Sequence, residues 1–383
     1  MSQPDYSLDQ FGRMIDDKVR MDPYSAAIAR CVRPNDAVVD LGCGPGVFAL
    51  LACKAGARRV YAIDTNSVIE FGRHLATVNG FAEHIHFLRG DSRQIHLPER
   101  VNVIIADVRG VLPLYAHAVS TLEDARTRFL ADGGRLLPSF DTLFAAIVEL
   151  PEFHRNITEP WRAASPLDLS SGLPLVLNSM YRHQLKPEHV ISESRSWHVL
   201  DYSSGVRTPA EAAIELRVTR NAVGHGLGIW FETKLVDDIG FSTCPSSGET
   251  VYGHLFLPWL EPVPLADGEV CSVGLRSRLV ASDYIWQWET NLKATAEHKQ
   301  IRFRQSTFYG SLFPPSLLRK RTFDFVPVLN EVGQAERWIL QAMDGSRPLK
   351  NIAAEATELF PHVFRRTEDA FNQAAEIAEK FSR

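Results

Sequence analysis

Residues 38–46 read VVDLGCGPG, and residues 60–64 read VYAID. The first stretch runs from an apolar, strand-like segment into a turn with glycine at alternate positions, Gly42, Gly44 and Gly46. Glycine lets the backbone approach a ligand closely and adopt positive φ. The helix that follows offers unpaired N–H groups at its first turn. Any tight strand-to-helix connection has the same needs, so the turn alone is weak evidence. The acid adds weight. Asp64 closes the second strand 22 residues after Gly42, where a carboxylate can accept from both ribose hydroxyls of a bound nucleoside.

NAD and S-adenosylmethionine both use such a turn. Three details favour S-adenosylmethionine. Asp40 stands inside the motif, where a dinucleotide loop usually has an apolar residue. The spacing is G-x-G-x-G, which supports a wide pyrophosphate cradle less well than G-x-G-x-x-G. Gly90-Asp91-Ser92 follows a third strand, HIHFLRGD (84–91), placing an acid where it can accept from an adenine amino group. Asp40, Gly42, Gly44, Gly46, Asp64, Asp91 and Ser92 are therefore the candidate cofactor residues.

Outward from this core, apolar strands and amphipathic helices alternate up to about residue 138. VFALLACKAGA (47–57), SVIEFGRHLATVNG (67–80) and TLEDARTRFLADGG (121–134) read as helices, and VNVIIAD (101–107) as a buried strand. This is the pattern of a doubly wound α/β sheet. Residues 1–36 read as a helical lead-in. From 139 to 325 the chain carries short β-branched and aromatic segments between turns, with no long helix, as in an antiparallel sandwich or barrel. Residues 157–189 are less strand-like and are expected to project as an arm. From 326 to 383 three amphipathic helices are expected, over 330–345, 348–360 and 367–381.

Apolar residues make up 45% of the 383 residues and charged ones 23%, the balance of a soluble globular chain. A net charge of -5 with no basic block argues against a phosphate-neutralising surface, so no nucleic-acid partner is expected. The five cysteines are odd in number, scattered and without a CxxC pair, which argues against a metal site or disulfide framework and for a reducing compartment. The polar N-terminus is unlike a signal peptide, and no apolar run reaches membrane-spanning length. A cytoplasmic protein with no membrane partner is expected.

VVDLGCGPG, AGARRVYAID, NGFAEHIHFLRGD, LPERVNVIIAD and GGRLLPS follow the order and near spacing of one family. The chain over roughly 5–325 resembles the protein arginine methyltransferases (PRMTs), class I enzymes that use S-adenosylmethionine. The resemblance implies a Rossmann-like α/β class I methyltransferase domain (1–138), an antiparallel β-barrel (139–325) with 157–189 as a dimerisation arm, and a homodimer. The lead-in GRMIDDKVRMDPYSAAI resembles the family's helix that closes over the cofactor, and by that match Arg20 binds the methionine carboxylate.

The resemblance breaks on the acceptor side. The family holds its arginine with two glutamates on the loop after the fourth strand. Here that loop reads ADVRGVLPLYAHAV (106–119): Asp107 takes the first position and Ala116 the second. Arg109 would oppose a guanidinium; it pairs either with a substrate carboxylate or with Asp107. The family's Thr-His-Trp loop is not found in TVYGHLFLPW (250–259), where Tyr252 and His254 lie. Asp107, His117 and His254 are the candidate catalytic residues, with Tyr115 near them; a histidine titrates near neutrality and can serve as a base. The expected activity is N-methylation of a peptide or small amine-bearing metabolite in a natural-product-type pathway. The alternatives are protein arginine methylation with a rebuilt substrate site, and a non-catalytic cofactor-binding scaffold. ERWILQAMDGSRPLKNIAAEATELF is similar to the helix–DGxR–helix core of PqqD-like winged-helix modules, which bind leader peptides by β-augmentation; the other reading is a packing cap.

Overall fold

A computed structural model describes residues 6–162, 166–205, 209–281, 283–295, 299–312, 316, 319–320 and 322–382. The chain divides into two compact units, Met1–Ser311 and Leu312–Arg383.

The first unit begins with two helices, α1 (Leu8–Asp16) and α2 (Lys18–Cys31). Ser7 and Gln10 form a capping box on α1. Asp17 ends α1 and caps α2: its Oδ1 accepts from the Arg20 N–H at 3.2 Å. Its Oδ2 accepts from the Val251 N–H at 2.8 Å, tying the lead-in to the antiparallel part. Arg20 thus sits in a first helical turn whose N-cap, Asp17, is itself held.

Five parallel strands follow in the order β3-β2-β1-β4-β5. They are β1 (Ala37–Leu41), β2 (Arg59–Asp64), β3 (Ile85–Arg89), β4 (Val101–Ala106) and β5 (Leu130–Leu137). β1 is buried along its whole length, as a central parallel strand must be. Helices α3 (Val47–Lys54), α4 (Ile69–Val78) and α5 (Ala118–Phe129) make the crossovers. The strand order reverses beside β1, whose Leu41 pairs with Ala106 of β4 and Ile63 of β2. A crevice at the strands' C-terminal ends forms at such a switch point. The helix read over 121–134 stops at Phe129; Leu130 is extended and pairs with Val101, so Gly133-Gly134 lie within β5.

Among the described residues the antiparallel part holds ten strands. One sheet runs β7 (Tyr181–His183), β12 (His254–Leu265), β10 (Ala222–Val236), β6 (Phe140–Val148), β8 (Arg195–Asp201), with β11 (Ile239–Ser242) on β10. The other runs β15 (Ile301–Ser306), β14 (Asp283–Leu292), β13 (Val270–Val280), β9 (Ala210–Arg217). Among the described residues the two sheets do not pair into a closed ring. An aromatic core joins them: Trp197 and Trp286 meet edge-on at 5.8 Å, and the Trp288 indole donates to the Pro258 carbonyl at 3.2 Å. The apolar core continues from the parallel sheet into this region.

Two readings need correction. A 12-residue helix, α6 (Pro151–Arg162), stands where none was expected. Proline at its first position and Phe153, His154, Ile157, Thr158 and Trp161 on one face explain it. Residues 157–189 do not form a free extension as far as they are described: α7 (Leu173–Leu177) packs on β12, and β7 pairs with it, His183 opposite His254. Residues 163–165 of that segment lie outside the described residues.

The second unit contains α8 (Glu331–Ala342), α9 (Leu349–Leu359) and α10 (Thr367–Phe381). Their contacts are mostly alanine (Ala335, Ala342, Ala353, Ala356, Ala370, Ala374) around Ile339, Ile352 and Phe364. In the DGSR turn Asp344 accepts from the Ser346 N–H at 2.9 Å, Gly345 takes φ 82°, and Arg347 pairs with Asp344 and Glu355. Among the described residues this unit has no strand. No helix among the described residues is long and apolar enough to cross a membrane.

Candidate functional site

The glycine turn adopts the geometry its sequence demands. Gly42, Gly44 and Gly46 have φ of 71°, 52° and 80°, all left-handed. A Cβ on Gly42 would lie 2.7 Å from Val108, and one on Gly44 would lie 2.6 Å from the Phe11 ring. Phe11 of α1 therefore closes directly over the loop. Asp64, at the end of β2, accepts the Gly44 N–H on Oδ2 at 2.7 Å and the Asn66 N–H on Oδ1 at 2.8 Å. A carboxylate has about four lone-pair sites, so each oxygen keeps capacity for a hydroxyl donor.

Asp40 is buried in β1. Its Oδ2 accepts the Ala49 N–H at 2.9 Å, near the start of α3, while Oδ1 has no partner among the described residues. Burial pushes its pKa up to about 7. An orphaned carboxyl oxygen, a loop too tight for any Cβ, and a strand-end carboxylate with spare lone pairs together fit a nucleoside cofactor. Asp91 and Ser92 follow β3. Asp91 is pulled below the usual carboxylate range by a two-oxygen pair with Arg93, at 2.6 Å for the closest contact. Ser92 is buried, and its carbonyl accepts from Arg128 at 2.6 Å.

The lead-in and the loop after β4 meet in a row of buried charges. Arg20 Nε pairs with Asp107 Oδ2, and its Nη1 donates to the Met14 carbonyl at 3.0 Å. Its guanidinium lies 4.9 Å from the Phe48 ring centre. Asp107 also accepts from Tyr252 OH at 2.7 Å and from Arg109 Nη1 at 2.9 Å. Arg109 continues the row: Nε and Nη2 bind Asp141 at 3.0 and 3.2 Å, Nη2 donates to Thr233 at 2.7 Å, and Nη1 reaches Tyr24 OH at 3.0 Å. All five N–H donors of Arg109 are thereby used, with Phe231 and Phe241 within cation–π range of the guanidinium. Asp141 is fully buried and also accepts from Tyr202 OH at 2.7 Å.

The charges hold one another ionised. Burial alone would raise the Asp107 pKa, but the Arg20 and Arg109 guanidinium groups bring it below the usual range. Burial alone would lower Arg20 and Arg109; Asp107 reverses this for the first and Asp141 chiefly for the second. Burial, then the Asp107 carboxylate, drive Tyr252 well up. A buried row of two cations and two carboxylates is thus internally neutral.

Asp107 lies with Arg20, and its neighbour Val108 lies against Gly42 of the glycine loop. Of the two roles open to Arg109, the geometry gives the internal partner of Asp107. His254 is a correction. Its ring is buried, Nδ1 accepts the Leu185 N–H at 2.9 Å and Nε2 faces the Thr243 carbonyl at 2.7 Å. Both nitrogens serve the β-structure, and burial lowers the pKa, so no proton is available for catalysis. His117 precedes α5, half-buried, and its carbonyl accepts from the Thr121 N–H at 2.8 Å. Ala116, at the family's second glutamate position, has φ 41° and no carboxylate. Sequence reading missed Phe11, Tyr24, Asp141, Tyr202 and Thr233. The signal for Asp141 was present: an acid at a buried position of an apolar strand, FDTLFAAIV.

These features define a class I methyltransferase fold with an antiparallel β-domain after it. The comparisons with known proteins sharpen that class. Residues 25–139 match the family model of ribosomal protein L11 methyltransferase (PrmA). The probable protein arginine N-methyltransferase 6 of Arabidopsis thaliana is 26% identical over 231 residues, covering 58% of this chain and 53% of that protein, so the chain spans about half of that relative's length. The probable protein arginine N-methyltransferase 1.2 of the same plant is 26% identical over 283 residues, 70% of this chain and 77% of that one. Among solved structures, the Trypanosoma brucei arginine methyltransferase enzyme–prozyme heterotetramer with AdoHcy aligns with a TM-score of 0.72 at 19% identity, over 77% of this chain and 97% of that one, a likeness of fold. By these likenesses the chain has the fold of a PRMT-like class I methyltransferase.

Proposed function

We propose that this protein transfers the methyl group of S-adenosylmethionine to the guanidine of a protein or peptide arginine, through an acceptor site rebuilt relative to the arginine methyltransferases. The observation that carries the cofactor half is Asp64, held by the Gly44 N–H at the mouth of a left-handed glycine loop. The arginine half is supported by likeness to an arginine methyltransferase over 70% of this chain. Bound S-adenosylmethionine supplies an already activated methyl on its sulfonium, so the protein's work is alignment and exclusion of water. Asp64 takes the ribose hydroxyls and Arg20 the amino-acid carboxylate. Gly42, Gly44 and Gly46 allow close approach, Asp91 and Ser92 flank the adenine, and Asp40 braces the start of α3. Phe11 covers the loop and keeps water out. His117 remains a candidate acceptor-side base.

A second reading, methylation of an uncharged amine on a peptide or small metabolite, is favoured by one observation: Asp107 already faces two guanidinium groups. A division into 1–138, 139–325 and 326–383, assembly with a second copy, and a cytoplasmic setting complete the proposal. The helical unit serves as a packing or recruiting module. One experiment separates the acceptors. Pure protein is incubated with methyl-labelled S-adenosylmethionine and either arginine-rich peptides or a pool of small amines. Label on peptide arginine is the expected result. Label confined to small molecules selects the second reading, and label in neither defeats both. Asp64→Ala should strongly lower label at sub-saturating S-adenosylmethionine in every case.

A further inference from the structure

Asp107 stands where a PRMT-like enzyme is expected to meet its acceptor, yet its carboxylate is already committed. Oδ2 receives Arg20 Nε and Tyr252 OH, and Oδ1 receives Arg109 Nη1. Arg109 in turn cannot swing away. Its five donors end on Asp107, Asp141, Thr233 and Tyr24, and its side chain is 3% exposed. Asp141 is itself fixed in β6 by Tyr202 and Thr233. The row therefore has a rigid end in the antiparallel sheet and a less buried end at Arg20, whose side chain is 11% exposed. Among the described residues, Arg20 Nη2 makes no hydrogen bond, while Nε and Nη1 are both held. One edge of this guanidinium is left for a ligand, and the other is oriented by Asp107.

We infer that Arg109 is a positioning residue for the cofactor: anchored on Asp141, it fixes Asp107, and Asp107 then holds Arg20 rather than an acceptor cation. The inference rests on the reading of Arg20 as the group that meets the cofactor's carboxylate. Alternating charges explain the chemistry. Without Arg109, Asp107 would be a buried anion free to take a guanidinium from solution, and Arg20 would lose its fixed partner. With it, Asp107 is neutralised on one oxygen and directed to Arg20 by the other. A planar five-donor fork is needed for this; a lysine ammonium offers three rotatable donors and cannot span Asp107, Asp141, Thr233 and Tyr24 together.

The test uses the full chain and two ligands by titration calorimetry: S-adenosylhomocysteine, which carries the amino-acid carboxylate, and 5′-methylthioadenosine, which lacks it. Asp107→Asn should weaken S-adenosylhomocysteine at least tenfold and leave 5′-methylthioadenosine within twofold. Arg109→Lys should weaken S-adenosylhomocysteine several-fold with the same selectivity. Arg20→Ala combined with Asp107→Asn should bind no worse than Arg20→Ala alone, because Asp107 acts through Arg20. A merely structural role would weaken both ligands together, and that outcome overturns the inference. So does unchanged S-adenosylhomocysteine affinity in Asp107→Asn, which would return Asp107 to the acceptor. Wild-type protein that binds neither ligand defeats the cofactor reading itself and the inference with it. Near-wild-type S-adenosylhomocysteine binding by Arg20→Ala would remove Arg20 from the carboxylate while leaving Asp64 and the loop in place.

Discussion

Two arrangements meet at the C-terminal edge of the parallel sheet, and they are built from different materials. The loop after β1 is mostly backbone: three left-handed glycines, a helix start, and one carboxylate, Asp64, that accepts a loop N–H. The row after β4 is mostly side chain: Arg20, Asp107, Arg109 and Asp141, drawn from α2, from the loop after β4 and from β6, with Thr233 from β10 and tyrosines at the flanks. The loop can do its work with residues close in sequence. The row exists only when distant elements have docked. Local chemistry thus supplies the cofactor cradle, and tertiary chemistry supplies its orientation and its neighbours.

The comparison is broken most severely at Arg109. Arg109→Met removes the cation between two buried carboxylates and leaves Asp107 and Asp141 short of partners. Breaking a buried pair on one side costs about 3–5 kcal/mol. Denaturant unfolding should show a loss of that size, with an unchanged slope if the fold is kept. Replacing Arg109 and Asp141 together by apolar residues should recover part of the loss, because no charge is then stranded. A loss under about 1 kcal/mol for Arg109→Met would mean that the row carries little of the fold.

The next test lies in the loop's own buried acid. Burial raises the folded pKa of Asp40 from 3.8 to about 7. A raised carboxyl pKa contributes stability that is fully present below the unfolded value and lost as pH rises through the folded value. Wild-type stability relative to Asp40→Asn should therefore fall across about pH 4 to pH 7 and level off above, by a few kcal/mol in all. Asparagine keeps an oxygen for the Ala49 N–H, so the variant isolates the ionisation. His154, His225 and His254 are lowered mainly by burial and act in the opposite sense, favouring the fold above pH 6.5 and less so on acidification. The difference between wild type and Asp40→Asn cancels them. A flat difference across that window would show that Asp40 is not buried as an acid.

Asp64 gives a smaller and more local effect. Asp64→Ala removes a charge-assisted acceptor, whose hydrogen bonds contribute about 1.5–3 kcal/mol. Affinity for S-adenosylhomocysteine should fall on the order of 10- to 100-fold, measured by calorimetry, while the unfolding midpoint moves little. Equal losses in affinity and stability would make Asp64 a scaffold of the turn instead.

How much of this was readable in the sequence follows the same division. Gly42, Gly44, Gly46 and Asp64 were legible because left-handed turns and strand ends are written in neighbouring residues. The alternation of β14, with Tyr284, Trp286, Trp288 and Leu292 inward and Asp283 and Gln287 outward, is equally legible. The helix α6 was hidden by an interior proline, Pro160, in a region read as strands. The partner of Arg109 could not be chosen from sequence. Asp107 lies two residues away and Asp141 thirty-two, and only the docking of β6 beside the loop decides that both are bound. His254 failed for the same reason: a histidine between a loop and a strand gives no sign that Leu185 and Thr243 will take both its nitrogens.

The smallest expected effect concerns Asp91, the third acid of the cofactor set. It shares the loop's local character, since its partner Arg93 is two residues away, but both side chains are partly exposed, at 31% and 40%. Solvent screening holds such pairs to about 0–1 kcal/mol. Arg93→Ala should therefore leave the unfolding free energy within about 1 kcal/mol of wild type, with the difference shrinking further in high salt. Its use is as a contrast to Arg109→Met: two arginines, each paired with an aspartate two positions earlier in the chain, one in water and one in the core. A large salt-insensitive loss for Arg93→Ala would mean that Asp91 belongs with the buried row. The small screened loss would leave burial, not pairing, as what separates the two regions.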